Sequence, residues 1–330
     1  MITIKEIAKL ANVSGATVSR VINNSGYVSD GVRQKVMKIV DENKYVPSEH
    51  AKALRTKHSK VIGVILPRIS TETASRIVNG INEVLAPEGY QIILASSDLE
   101  LRNEIKYLKL FKSRQVEGII LNATNTSKEL MEEVDDLTIP FVAIGQELKG
   151  ESYVSYNNYE VAKGLTNYLI KKGHKKIAFI GVDEKDTAVG YDRKKGYLDT
   201  MKDHSLSIDE NWIKTGSFAM TFGEESMESI MNNSLTTPSA VFAVTDRLAI
   251  GAMKYLKKHL YKIPDDIAVV GIGASELAEF VEPGLTTVDF NNEKAGREAA
   301  QLILNKIQDK EYKNKEIILN YRLIERDSVR

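Results

Sequence analysis

No cysteine occurs anywhere in the 330 residues, so neither a disulfide framework nor a thiolate metal site can exist. Its absence fits a cytoplasmic chain. Long apolar runs are missing as well. None approaches the ~20 residues that span a bilayer, so no membrane segment is expected. The opening Met1-Ile2-Thr3-Ile4-Lys5-Glu6 has no basic-then-apolar signal segment and carries an acid early, which argues against secretion. The five histidines show no His-Glu-x-x-His spacing. No glycine-rich phosphate loop follows an apolar strand-like run. No Gly-x-Ser-x-Gly elbow is present, and no paired acid/base set stands out from ordinary surface charge. These absences predict a protein that is not an enzyme and that needs no metal and no cofactor.

Net charge is lacking too: 45 basic residues meet 45 acidic ones. The balance hides an asymmetry. Residues 1–60 hold eleven Lys or Arg against five Asp or Glu, a net +6, which leaves −6 on the remainder. A basic N-terminal segment on an acidic body is an electrostatic footprint for phosphate. Hydrophobic residues at 42% and charged residues at 27% are ordinary for a globular chain, and the length suffices for two or three domains.

In the first sixty residues, Thr3 is placed to cap a helix with Ile4, Ile7, Ala8, Leu10 and Ala11 at helical spacing. Asn12-Val13 breaks it. Ser14 then caps a second helix from Gly15 to about Ile22, with Val18, Val21 and Ile22 inward and Gly15, Ala16, Thr17, Ser19 and Arg20 outward. Ser29 or Asp30 opens a third helix with Val32, Val36, Ile39 and Val40 inward. Two short helices joined by a tight turn and braced by a third fit a helix-turn-helix. By pattern alone a generic three-helix bundle fits as well.

The strings Thr3-Ile4-Lys5-Glu6-Ile7-Ala8, Ala11-Asn12-Val13-Ser14 and Thr17-Val18-Ser19-Arg20-Val21-Ile22-Asn23 resemble the DNA-binding segment of the lactose/galactose-repressor family. The resemblance continues through Val28-Ser29, Arg33, Val36, Tyr45, Pro47, Ala51 and Leu54, then to about residue 326. It implies that Gly15 and Ala16 hold base-reading positions and that Arg20 forks onto guanine O6 and N7. Thr3, Ser14, Thr17, Ser19 and Asn23 match phosphate-facing or base-adjacent positions, which position more than they specify. Gly15 departs from the larger residues common there. The family further implies a hinge over residues 47–59, in which Leu54 wedges into the minor groove with Ala51 one turn before it. A linker leucine packing on the core is the other reading of Leu54. Ser48, Glu49 and Lys52 differ from the commoner Asn and Arg.

Beyond residue 60, apolar strands are expected at 61–66, 91–96, 118–122, 141–144, 176–181, 240–244 and 268–272, with a last strand at 317–323. Helical stretches such as 73–86, 103–112, 159–172, 193–202 and 247–259 separate most of them. Such alternation implies parallel sheets wound on both faces. Two halves, breaking near Asn157-Asn158 and Phe290-Asn291, fit a two-lobed plan better than one large sheet. The expected fold is therefore α/β: an all-α helix-turn-helix head over 1–46, a hinge over 47–59, and a periplasmic-binding-protein-like core over 60–330. The N-lobe takes about 60–157 and 291–318, and the C-lobe about 158–290 and 319–330. Ligands of such sheets bind at strand carboxyl ends, in the cleft between lobes.

The resemblance marks Arg193 as the effector arginine, a donor fork for sugar hydroxyls or a phosphate; an exposed arginine at a helix start is the plainer alternative. Phe218 matches a stacking aromatic that could equally pack in the core. Asp246 either takes ligand hydroxyls or caps the next helix. Arg68, Ser70, Thr71 and Thr73 after the first strand, and Gln146 after the fourth, complete the rim. The family commonly has an Asp two residues after Gly271, but here Gly273 stands. Ligand contacts should then shift to Ser275, Glu276 or Phe290. The run 271–288 is similar to sucrose-operon repressors and less like the ribose, purine or general catabolite-control branches.

The expected partners are operator DNA, a small sugar or sugar phosphate such as sucrose, its fructose portion or a 6-phosphorylated derivative, and a second copy of the chain. No leucine heptads trail the last strand, so a homodimer rather than a tetramer is expected. A phospho-carrier corepressor stays open, as does activation against repression, because the sign depends on where the operator lies.

Overall fold

The computed structural model describes residues 2–45 and 59–330, and the chain divides into two compact units, Met1–Ser59 and Lys60–Arg330. The expected hinge, with Ala51 and Leu54, lies outside the described residues.

Among the described residues the first unit holds three helices: α1 (Ile4–Ala11), α2 (Gly15–Ile22) and α3 (Asp30–Glu42). Thr3 and Glu6 form a reciprocal capping box at the start of α1. Asn12 ends that helix in a left-handed conformation, and Ser14 caps α2 by accepting from the Thr17 amide at 3.1 Å. Ile7, Ala8, Ala11, Val18, Val21, Val36 and Val40 close one small core. Leu10, one of the apolar positions at helical spacing, is 58% exposed. At about 100° per residue Ile7, Ala11 and Ala8 share one face of α1, and Leu10 falls roughly 60° beyond Ile7 on the side away from them.

The second unit contains two six-stranded sheets. The first lobe's strands are β1 (Val61–Leu66), β2 (Gln91–Ser96), β3 (Gly118–Asn122), β4 (Phe141–Ile144), β5 (Ser152–Tyr156) and β11 (Glu316–Leu319), all paired in parallel in the order β11-β5-β4-β3-β1-β2. The second lobe's are β6 (Ile177–Val182), β7 (Ile213–Gly216), β8 (Ala240–Ala243), β9 (Ala268–Ile272), β10 (Thr286–Asp289) and β12 (Arg322–Ile324), ordered β12-β10-β9-β8-β6-β7. Here β12 runs antiparallel to β10 and the rest are parallel. Near-continuous apolar runs such as Val61–Leu66 suit strands buried on both faces.

Helices cover both sheets. In the first lobe they are α4 (Glu72–Leu85), α5 (Leu101–Ser113), α6 (Lys128–Asp135) and, returning late in the chain, α12 (Asn292–Gln308). In the second they are α7 (Asn158–Lys171), α8 (Arg193–Asp203), α9 (Met220–Asn233), α10 (Asp246–Lys258) and the short α11 (Glu276–Phe280). Helix α12 lies hard against α4 because both carry glycine at the crossing. A Cβ on Gly80 would strike the Glu293 carbonyl oxygen, and one on Gly296 the Ile77 carbonyl oxygen. The chain passes between lobes after β5, after β10 and between β11 and β12.

Three short strands, β5, β7 and β10, are not expected from the sequence, because polar residues interrupt their apolar ones. The strand expected at 317–323 is really two, β11 and β12, and they belong to different sheets. Apolar composition runs through both, so only the sheet assignment separates them.

Candidate functional site

Two surfaces carry the chemistry, one on each unit. On the first, α2 is anchored by Val18 and Val21, which fixes what its other side presents. Ala16 and Arg20 are exposed, while Gly15, Thr17 and Ser19 are half-buried. Ser14 Oγ lies 2.9 Å from Thr17 Oγ1, and Asn23 Nδ2 donates to the Ser19 carbonyl at 2.7 Å and to Ser19 Oγ at 3.2 Å. Thr3 donates from its backbone and its hydroxyl to Glu6 Oε2, at 2.7 and 2.9 Å. Those hydrogen bonds hold the exposed Glu6 carboxyl below the usual range. The short polar residues thus stiffen the ends of α1 and α2, and Arg20 stands exposed in the last turn of α2.

On the second unit, a cleft of about 1240 Å³, open solvent at its mouth included, runs along the carboxyl ends of both sheets. The enclosed part is about 230 Å³, a little under the ~300–1,000 Å³ of typical ligand sites, so the cleft suits a small molecule. Arg193 sits at its floor, delivered by a π-helical turn (Thr187–Asp192) that runs directly into α8. It is 5% exposed, so the exposed helix-start alternative falls. Its Nε donates to Asn158 Oδ1 at 2.8 Å and its Nη1 to the Val244 carbonyl, and its guanidinium lies 5.2 Å from the centre of the Phe290 ring. Burial pulls its pKa down to about 10, against the opposing pull of Asp186 first and then Tyr156, Asp246 and Asp192. Phe290 in turn stacks on Tyr156 at 4.5 Å.

Gln146 belongs to the opposite lobe and donates across the cleft to Asp186 Oδ1 at 3.0 Å. Asp186 also accepts from the Val189 amide at 3.0 Å, and burial raises its pKa. At the mouth, Glu72 Oε2 accepts from the Glu276 amide at 2.7 Å, a second bond between the lobes. Phe218 lines the cleft and is also half-buried on the second lobe's core, so both of its readings describe part of the ring's surface. The guanidinium of Arg68 approaches it to 5.9 Å.

Asp246 lines the cleft but does not cap the next helix. Thr245, not Asp246, caps α10 by accepting from the Leu248 amide. The Asp246 carboxylate instead accepts from Thr287 Oγ1, the Ser275 amide and Ser275 Oγ, the last two at 2.7 and 2.9 Å. It pins the turn after β9 to β10. This explains Gly273, whose φ of +144° suits glycine and whose Cβ would sit 3.2 Å from Asp246 Oδ2. Ser275 lines the cleft, but its hydroxyl is already given to Asp246. Thr71 lines it too, while capping α4 through the Ala74 amide. Thr73 is on the rim, and Ser70 falls outside the lining on an exposed turn.

Asn122, Tyr156, Asn158, Asp186, Arg247 and Asn292 line the cleft and went unseen in the sequence. All but Asp186 and Arg247 lie at ends of strands or on the crossovers, and the repeated Tyr156-Asn157-Asn158 and Phe290-Asn291-Asn292 was the one signal available. Each of these triplets places an asparagine, Asn157 or Asn291, as the cap of the next helix. Among the described residues, no group of three or more His, Cys, Asp or Glu could hold a metal.

Comparison with known proteins adds to this geometry. Residues 3–48 match the model of the bacterial regulatory proteins of the lacI family, and residues 166–329 that of a periplasmic binding protein-like domain. The HTH-type transcriptional repressor PurR of Vibrio campbellii is 32% identical over 100% of this chain and 99% of its own length. The HTH-type transcriptional regulator DegA of Bacillus subtilis is 32% identical over 99% of this chain and 97% of its own. Among solved structures, the transcriptional regulator CelR in complex with cellobiose is 27% identical, with a TM-score of 0.75 over 99% of this chain and 100% of its own. A lac repressor dimer bound to operator and an anti-inducer superposes at TM-score 0.86 over 99% and 98%, at 21% identity, a likeness of fold. The likeness to sucrose-operon repressors read from residues 271–288 does not extend along the chain in these comparisons, whose full-length relatives include repressors named PurR. The Gly273 that prompted it fits a φ of +144° and the closeness of Asp246.

Proposed function

This chain belongs to the lacI family of bacterial regulatory proteins, and on that premise we propose that it is a sugar-responsive repressor whose cleft ligand tunes the hold of its first unit on operator DNA. Arg20 reads guanine in the major groove, and Ala16 and Gly15 lie against neighbouring bases. Thr3, Ser14, Thr17, Ser19 and Asn23 keep the recognition helix in register on the backbone. Ala51 and Leu54 act in the hinge, where a leucine wedge kinks the duplex at a cost of a few kcal/mol that added contacts offset.

The observation that carries the ligand half is the bond from Gln146 to Asp186 beside the buried Arg193. A molecule reaching Arg193 touches both lobes at the point where they already meet. It therefore binds one lobe arrangement more tightly than another, which is all that allosteric coupling of ~1–3 kcal/mol requires. A sugar suits the mixture of aromatic faces, Phe218 and Phe290, with amide and guanidinium donors. The cellobiose-bound relative supports a ligand of that size and class. Sucrose, fructose and their phosphates remain the first candidates, with cellobiose beside them.

The test is operator retardation by the full chain, repeated with each sugar, and titration calorimetry of the same sugars and of a purine base. Sugar-dependent release with micromolar to millimolar binding is expected. Binding of the purine alone would overturn the sugar while leaving the operator reading intact.

A further inference from the structure

The chain enters the second unit at Lys60, and that residue is held from both sides. Toward β2, its carbonyl accepts from the Gln91 amide at 2.8 Å. Its ammonium lies 4.1 Å from the centre of the Tyr90 ring and donates to the Glu88 carbonyl at 3.4 Å. Toward β3, its amide donates to Glu117 Oε1, and the Glu117 amide donates to the Val61 carbonyl at 2.8 Å. Glu117 Oε2 accepts from the Tyr90 hydroxyl at 3.1 Å, which ties the two sides together. Burial first, and then the Glu117 charge, pushes the Tyr90 phenol up to about 12, so it keeps its proton for that carboxylate at neutral pH.

The backbone of Lys60 has φ at +53°, in the left-handed region. A residue with a side chain stays there only where its surroundings over-determine it. Lys60 is exposed and belongs to neither apolar cluster of the first lobe, so core packing does not account for the turn taken there. The bonds from Glu117, Gln91 and Tyr90 do.

We infer that Lys60, clasped by Glu117 and Tyr90, is a positioning residue for operator binding: it fixes the heading on which the connecting segment leaves the second unit, and so the half-site spacing that two paired chains accept. The inference rests on the paired, operator-binding reading above and adds what sets its geometry. With φ free at residue 60, the segment before it sweeps a cone about the start of β1. Two such cones, one for each protomer, reach many separations. With φ held, each segment sets out in one direction relative to its own sheet. Duplex DNA turns once in ~10 base pairs, so one base pair inserted between half-sites lengthens the span and also rotates the second half-site by roughly 35°. A fixed heading matches one spacing, whereas a loose one tolerates its neighbours.

Retardation by the full chain tests this on an operator that the unaltered protein selects from random-sequence DNA. The same operator is then used with one base pair added or removed at its centre. The unaltered chain is expected to lose about tenfold or more in affinity at either altered spacing. Glu117→Ala removes the clasp and Lys60→Gly frees φ, and each should cut that loss to about threefold or less. Glu117→Gln keeps an acceptor for the Lys60 amide and should retain most of the selectivity. The spacing ratio is read within one protein, so a smaller folded fraction does not move it. Because Lys60 is exposed, Lys60→Gly carries the test even where Glu117→Ala fails to fold. A ratio unchanged by Lys60→Gly and by any folded Glu117→Ala would overturn the clasp and leave the paired operator reading standing. A glutamine variant as permissive as the alanine one would overturn the hydrogen bond as its basis. An unaltered chain that selects no operator, or is indifferent to its spacing, would overturn the paired reading together with the clasp.

Discussion

Arg193 illustrates how little a residue's role follows from its place in a motif. It holds Asn158 and the Val244 carbonyl and balances Asp186, so Arg193→Ala orphans several buried groups together. Breaking a buried pair costs ~3–5 kcal/mol, so this variant is expected to lose ligand binding and also to melt well below the parent in a thermal scan. Glu104 offers a pH test. Its carboxylate is buried beneath the cleft, accepting from Thr124 and Asn125 with no cation beside it, and burial raises its pKa. A group whose folded pKa lies above its unfolded one contributes stability in full below the unfolded pKa and loses it as pH rises through the folded one. Unfolding followed from neutral to mildly acidic pH should therefore show a stabilising component that Glu104→Gln removes. Gly273→Asp restores the family's usual acid, and it is expected to destabilise by ~1–3 kcal/mol, because φ at +144° strains a side-chain-bearing residue and a second carboxylate meets Asp246.

At the scale of elements, helix ends and helix crossings decide the outcome. The capping box of α1 and the serine cap of α2 are local, and Thr3→Ala should cost ~1 kcal/mol of the first unit's stability by urea unfolding. Arg20→Ala leaves those caps intact and should cost ~1–3 kcal/mol per half-site in operator affinity, read by retardation at fixed salt. Gly80→Ala acts differently. Its methyl would enter the backbone of α12, so the first lobe must open that crossing, and overpacking of this kind costs ~1–3 kcal/mol. The period of apolar residues gave α1, α2, α4 and α10 to within a residue or two. It missed β5, β7 and β10, whose serines, threonines, lysine and aspartate break up the apolar run that marked strands of equal length such as β4 and β8.

For the whole molecule, closure of the cleft and pairing of two chains are the expected motions and assembly. Small-angle scattering should give a smaller radius of gyration when a cleft ligand saturates the protein. Sedimentation at micromolar concentration should give a dimer, and a stable tetramer would contradict that expectation.

What the sequence determined by itself was the first unit and the alternating order of the second. Both rest on local rules: caps, apolar periods, and a motif whose residues are neighbours along the chain. The tertiary structure decided the rest. Only folding brings Gln146 to Asp186, 40 positions apart, or sets Asp246 against Ser275 and Thr287. Only the assignment of β11 and β12 to different sheets divides one apolar run between two lobes. A residue's type fixes which bonds it can make, but a buried carboxylate accepts from whichever donors the fold packs against it, and those donors lie far away in sequence.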